Sequence, residues 1–230
     1  MLIFSSMCAL ACGSPASCNT SGSKLYAQGK YKEATQRFLR QVDLATGTDD
    51  RASLRMGLNN LALTAIRLRK PLEANAWIQV ARDRIGDDSI TKHNLALIQG
   101  ELSHHVGSNL VGIYQRYAGY GRWSRLAIRM NANSTAHLTF NIVRYGRVSS
   151  ADQVGPAALG TLESDAVLKD GHLEAAYAGD ENVTCRFFLQ PGALKMVVPN
   201  QDMPAQCKSW GGYSTNLDGT FWLVEEGLAQ

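Results

Sequence analysis

The chain repeats itself once and then changes period. Asn60-Leu61-Ala62-Leu63 recurs as Asn94-Leu95-Ala96-Leu97, a separation of 34 residues. Around the first copy, Leu58, Leu61, Ala62, Ala65 and Ile66 fall at steps of three and four, and Trp77, Ile78, Ala81 and Ile85 follow in the same way. Such spacing puts apolar side chains on one face of a helix. Asp49, Asp50 and Ser53 precede one helix and Asp87, Asp88 and Ser89 the next, where short polar side chains cap exposed backbone N–H groups, and Gly86 is a stop signal between them. After Gly121 the step becomes two. Leu126, Ile128 and Met130 alternate with Arg125, Ala127 and Arg129, and Ala136, Leu138, Phe140 and Ile142 alternate with His137, Thr139 and Asn141. These are strands with one face buried, joined by turn residues Asn131-Ala-Asn133-Ser. Helices first and antiparallel strands after make the fold class α+β.

The helical half resembles tetratricopeptide repeats, whose period is 34 residues. Gly29-Lys-Tyr31-Lys-Glu33-Ala34 with Phe38, and Arg69-Lys-Pro71-Leu-Glu73-Ala74 with Ile78 and Ala81, look like the turn and second-helix start of two such repeats. The two are offset by 40 residues, so a connector at Ala45–Asp50 is expected to absorb the excess. A third repeat keeps a first helix over Ile90–His104, followed by a patternless second one over Ser108–Tyr117. Trp77 and Met56 are expected in the core. The resemblance implies stacked helix pairs with a groove for a peptide or partner helix.

The later half carries further hairpins. Val167–Leu173 has an Asp170-Gly171 turn, Arg186–Val198 turns at Pro191-Gly192, and Gly219–Val224 closes the set. Gly119-Tyr-Gly121 reads as a hinge between domains, and Arg147–Gly160 as a loop. About seven short strands in the last hundred or so residues predict a small antiparallel barrel or sandwich. The succession Cys185, hairpin, Cys207-Lys-Ser-Trp-Gly211-Gly212-Tyr213, then Asp218-Gly219-Thr220-Phe221, is similar to the ending of small β modules in exported bacterial proteins, some related to lysozyme-inhibitor lipoproteins. The likeness covers about 45 residues and departs at Lys208 and Phe221. It implies an inhibitor of a cell-wall-degrading enzyme.

Residues 1–11 open with an uncharged, mostly apolar run, the length of an export-signal core without its positive flank. Ala9-Leu10-Ala11-Cys12 resembles a lipobox, with Ala9 where Leu is usual, and implies lipidation at Cys12; the alternatives are plain secretion and a buried first helix. Residues 12–21 then read as a flexible tether of small, mostly polar residues. The expected layout is a signal peptide at 1–11, a tether at 12–21, tetratricopeptide-like helices at 22–118 and a β domain at 119–230. In an oxidising compartment Cys185 and Cys207 are a natural disulfide pair closing a loop of about 22 residues; two free thiols are the alternative.

With 45% hydrophobic residues, 19% charged and a net charge of +3, the chain is neither disordered nor basic enough to imply nucleic acid or a bare membrane surface. The charge is unevenly placed. Six arginines (Arg116, Arg122, Arg125, Arg129, Arg144 and Arg147) fall between Leu102 and Ala151 without a single Asp or Glu. Arg122, Trp123, Arg125 and Arg129, together with Trp210 and Tyr213, are the candidate binding residues, and acids of later strands such as Glu163 and Asp165 are available to pair with the arginines. The histidines lack ligand spacing and no nucleophile or phosphate-loop motif stands out, so neither a metal nor a cofactor nor catalysis is expected. The expected function is envelope protein binding in the periplasm or at the outer membrane, otherwise after secretion, with a cell-wall hydrolase as partner and a lipid as membrane anchor. The alternatives are a scaffold for envelope assembly and an unrecognised glycan or peptide hydrolase.

Overall fold

The computed structural model describes residues 12–106, 110–131, 135–145, 158–201, 203–211 and 216–227. The signal-peptide segment 1–11 lies outside them. Five helices come first: α1 (Pro15–Ala27), α2 (Tyr31–Gly47), α3 (Arg51–Arg67), α4 (Pro71–Ile85) and α5 (Ser89–Ser103). None of these helices is long and apolar enough to cross a membrane.

Local chemistry sets their ends. Ser14 and Ser17 form a reciprocal capping box at α1, Asp50 accepts from Ser53 N at 3.0 Å, and Asp88 accepts from Thr91 N at 2.8 Å. Gly29 turns the chain between α1 and α2 at φ 74°, which glycine adopts without cost. Close packing needs small residues elsewhere: a Cβ on Gly22 would lie 2.5 Å from the Phe38 ring. The recurrent asparagines join successive odd-numbered helices. Asn60 Nδ2 donates to Asn19 Oδ1 at 2.9 Å, and Asn94 Nδ2 donates to the Asn59 carbonyl at 3.3 Å.

Four expectations change here. The tether is largely helix, because α1 supplies the partner that covers Phe38 of α2. Cys12 is bonded to Cys18, whose side chain is fully buried, so that sulfur cannot also carry a thioether-linked lipid. The connector after α2 shrinks to Thr48–Asp50, since α2 extends through Gly47. Met56, expected in the core, is 44% exposed, while Trp77 is buried as expected.

The rest of the described chain is a closed antiparallel barrel in which each strand pairs with its neighbours in sequence. The strands are β1 (Gly112–Gly119), β2 (Arg122–Met130), β3 (Ala136–Arg144), β4 (Ala158–Lys169), β5 (His172–Ala178), β6 (Thr184–Gly192), β7 (Lys195–Val198) and β8 (Gly219–Glu226). Period-two alternation turns Leu126, Ile128, Leu138, Phe140, Leu189 and Phe221 into an interior where each is fully buried. Phe140 stacks edge-on to Phe187 and Phe221, with centroids 5.9 and 6.0 Å away.

The barrel begins before the expected boundary at 118/119. Gly112–Gly119 is strand β1, not the end of a helix, and Gly119-Tyr120-Gly121 is the β1–β2 turn, not a hinge; all three residues have positive φ. The halves share one apolar core. Trp77 of α4 meets Trp123 of β2 at 4.6 Å, Tyr117 of β1 stands 5.5 Å from Trp123, and the Arg84 guanidinium lies 5.5 Å over the Tyr117 ring. Burial raises the Tyr117 hydroxyl pKa, opposed by the hydrogen bond it accepts from Gly121 N at 3.1 Å. The second disulfide joins Cys185 on β6 to Cys207 in a short turn at 205–208.

Replacing Gly22 with Ala drives a methyl into the Phe38 ring and should destabilise the protein by about 1–3 kcal/mol in urea unfolding. Replacing both Cys185 and Cys207 with Ala should cost about 3 kcal/mol by the chain-entropy relation for their separation of 22 residues. An unchanged midpoint in either variant contradicts the packing or the cross-link.

Candidate functional site

Two of the three candidate arginines, Arg125 and Arg129, lie together on the outside of β2. Arg125 pairs across to Asn141, which pairs to Thr161; Arg129 pairs to His137, which pairs to Asp165; between these rows, Ala127, Thr139 and Glu163 align. Glu163 and Asp165 are therefore two strands from the arginines, about 10 Å at the usual strand spacing. Among the described residues neither Arg125 nor Arg129 has a carboxylate within 4.0 Å, and His137 Nδ1 takes Asp165 instead, at 2.9 Å. The outer wall thus carries a basic band on β2 beside a histidine–acid band on β3 and β4.

The aromatic candidates are placed differently. Trp123 belongs to the helix–barrel contact rather than to a free face. Trp210 is half-buried, donates from Nε1 to the Cys207 carbonyl at 3.0 Å, and lies so close to Gly160 that a Cβ there would sit 2.7 Å from its ring. It fastens the 205–211 segment onto β4. Tyr177 supports the same turn by donating its hydroxyl to the Cys207 carbonyl. Arg122 is exposed at the β1–β2 turn, and Tyr213 lies outside the described residues. Arg116 is turned to internal use, over the Phe221 ring at 5.0 Å with a bond to the Asn216 carbonyl at 3.0 Å.

Next to the histidine–acid band, the outer face of β4, β5 and β6 is hollowed into a groove of about 510 Å³. Its floor is low because Ala176, paired with Arg186, presents only a methyl. Glu174 sits between Val167 and Phe188 in the strand register. Its carboxylate accepts from His172 at 3.1 Å and faces Lys169 at 3.4 Å, and the His172 bond is the main reason its pKa falls below the usual range. Gln201 holds the far wall by accepting from Phe188 N at 3.0 Å and donating to Phe188 O at 3.1 Å, in the manner of a strand neighbour. At one end, just before the Asp170-Gly171 turn, Val167 stands 57% exposed on the groove face. An apolar strip rimmed by opposite charges suits a protein surface.

Sequence reasoning located the Asp-Gly turn between β4 and β5 and the hairpin of β6 and β7 but missed the groove. Ala176, Phe188 and Gln201 come together only through pairings across three strands and a loop. No family model, curated protein or solved structure matches this chain.

The Asp165 carboxylate is held below its ordinary value of 3.8, first by the His137 hydrogen bond and then by Asn131. A depressed folded-state value contributes stability above the unfolded pKa, and that contribution is lost as pH falls through the folded one. His137→Ala should therefore return the Asp165 titration upward toward 3.8 in a carboxyl-detected NMR titration. An unmoved midpoint would show that the pair does not hold in solution.

Proposed function

We propose that this chain is an exported envelope protein that works by binding, and that its barrel covers a cell-wall-degrading enzyme. The observation that carries this reading is the filled barrel. Phe140, Phe221, Leu126, Ile128 and Leu138 occupy the interior and leave recognition to the outer wall. Barrels of this size either pack side chains inside or hold one small ligand. On that wall the mixed groove lies beside an acidic row, Glu163 and Asp165, which is the charge a cationic enzyme would seek.

Two disulfides in one chain support an oxidising compartment. Anchoring by lipid at Cys12 and the Cys12–Cys18 bond are exclusive, so the form proposed is the exported, cross-linked one without an acyl group on Cys12. A second reading, a scaffold acting through the helices, draws on α5, where Ile90 and Leu97 stand 52% and 49% exposed one heptad apart.

The mature chain, captured from envelope extract, should bring down a cell-wall hydrolase in equimolar amount. Val167→Glu and Phe188→Glu should each weaken that complex at least about tenfold, in keeping with loss of a central apolar contact. Retention of the partner by both groove variants, with loss in an Ile90→Asp plus Leu97→Asp variant, would transfer the function to the helices.

A further inference from the structure

Independently of that reading, a second recess of about 670 Å³ opens where the helices meet the barrel. Its apolar wall is Leu39 of α2, Trp123 of β2 and Val224 of β8, backed by the Trp77–Trp123 contact. Ligand sites favour such junctions, with an apolar wall and a few converging polar groups. Two ion pairs at the edge are already satisfied: Lys70 with Glu73 at 2.8 Å and His105 with Glu226 at 2.9 Å. Four lining groups are not. The Arg69 guanidinium, the Glu225 carboxylate and the side-chain amides of Gln36 and Gln115 make no hydrogen bond or ion pair among the described residues.

The cation comes from the helical half and the carboxylate from the barrel. We propose that this recess binds a short zwitterionic peptide, its carboxylate on Arg69 and its ammonium on Glu225. Arginine meets a carboxylate with two parallel hydrogen bonds. The two glutamine amides can serve the peptide bond between, since each offers both donor and acceptor, and Leu39 and Trp123 meet apolar side chains. The size agrees: the volume is that of a cube about 9 Å on edge, and two or three extended residues span about 7–10 Å. A sugar would use the amides and the tryptophan but leave the opposite charges unmatched. Because the ligand would touch both halves, its binding should stiffen the junction and raise the unfolding temperature by mass action.

The probe is the dipeptide alanyl-leucine, titrated into the whole cross-linked protein while tryptophan emission and the thermal midpoint are followed. Saturable binding is expected in the millimolar range or tighter. Acetylating the amine or amidating the carboxylate should each weaken it about tenfold, the size of one charge-assisted contact. Arg69→Asn is the matching variant, since asparagine tolerates the left-handed backbone at residue 69, where φ is 56°. In Arg69→Asn, amidation should cost nothing further, and in Glu225→Gln, acetylation should cost nothing further. This comparison within each variant holds even where the variant is less stable. Equal affinity for blocked and free peptide, losses that stay additive in the variants, absence of any saturable response, or tighter binding of maltose than of the dipeptide would each overturn the proposal.

Discussion

Closure of the sheet by β1 on β8 is the contact on which the rest of the molecule depends. The register sets Gly112 opposite Glu226 and Tyr114 opposite Leu223, with a shift between Ile113 and Tyr114. Gly112 has to be glycine-like in size there, since a Cβ would stand 2.5 Å from the Glu225 carbonyl oxygen. Without that pairing β1 and β8 are two free edges, each a row of unsatisfied N–H and C=O groups. With it, the chain leaving α5 is tied to the far end of its own sequence. The same two strands then present Tyr117 and Val224 to the helices.

The junction follows from this closure. Trp77, Trp123 and Tyr117 form an edge-to-face triad that neither half could bury alone. Burial of such large rings is worth several kcal/mol, with more from their mutual geometry. The two halves therefore behave as one packed body, unlike beads on a linker. Nearby, Tyr114 lies inside β1 and its hydroxyl is pushed up to about 12, first by burial and then by the charge of Glu226. A neutral hydroxyl bonded to the Leu110 carbonyl at 3.1 Å is the form this environment holds.

Charge on the barrel wall is arranged in bands. Arg125 and Arg129 on β2 stand apart from Glu163 and Asp165 on β4, and the intervening β3 gives its histidine to the acid side. Exposed pairs of this kind contribute little to stability and are screened by salt. Their arrangement matters more for which partner approaches and how it turns. The groove beyond them combines the paired charges of Lys169, His172 and Glu174 with Val167, Phe188 and an Arg186 that has no ion pair among the described residues.

Local periodicity carried much of the architecture. Apolar steps of three and four marked α3 and α4, steps of two marked β2 and β3, and Asp50, Asp88 and Asp170-Gly171 marked two helix starts and a turn. Each is decided by a residue and its near neighbours, through capping, one-sided burial or a left-handed turn. The outcome differed wherever a distant partner decides. Gly112–Gly119 is a strand because β2 and β8 satisfy its backbone on both sides. Pro15–Ala27 is a helix packed by Phe38 from the next element, and Cys12 is drawn to Cys18 by that helix. Trp123 and Trp210 became packing residues because other segments close over them. Composition and spacing by themselves determined an α+β chain with helices first and a β half in which Cys185 and Cys207 were available to pair. Closure of the barrel, the groove on its wall and the recess at its junction were left to tertiary structure, since each is made by groups that only strand pairing and helix packing bring within reach.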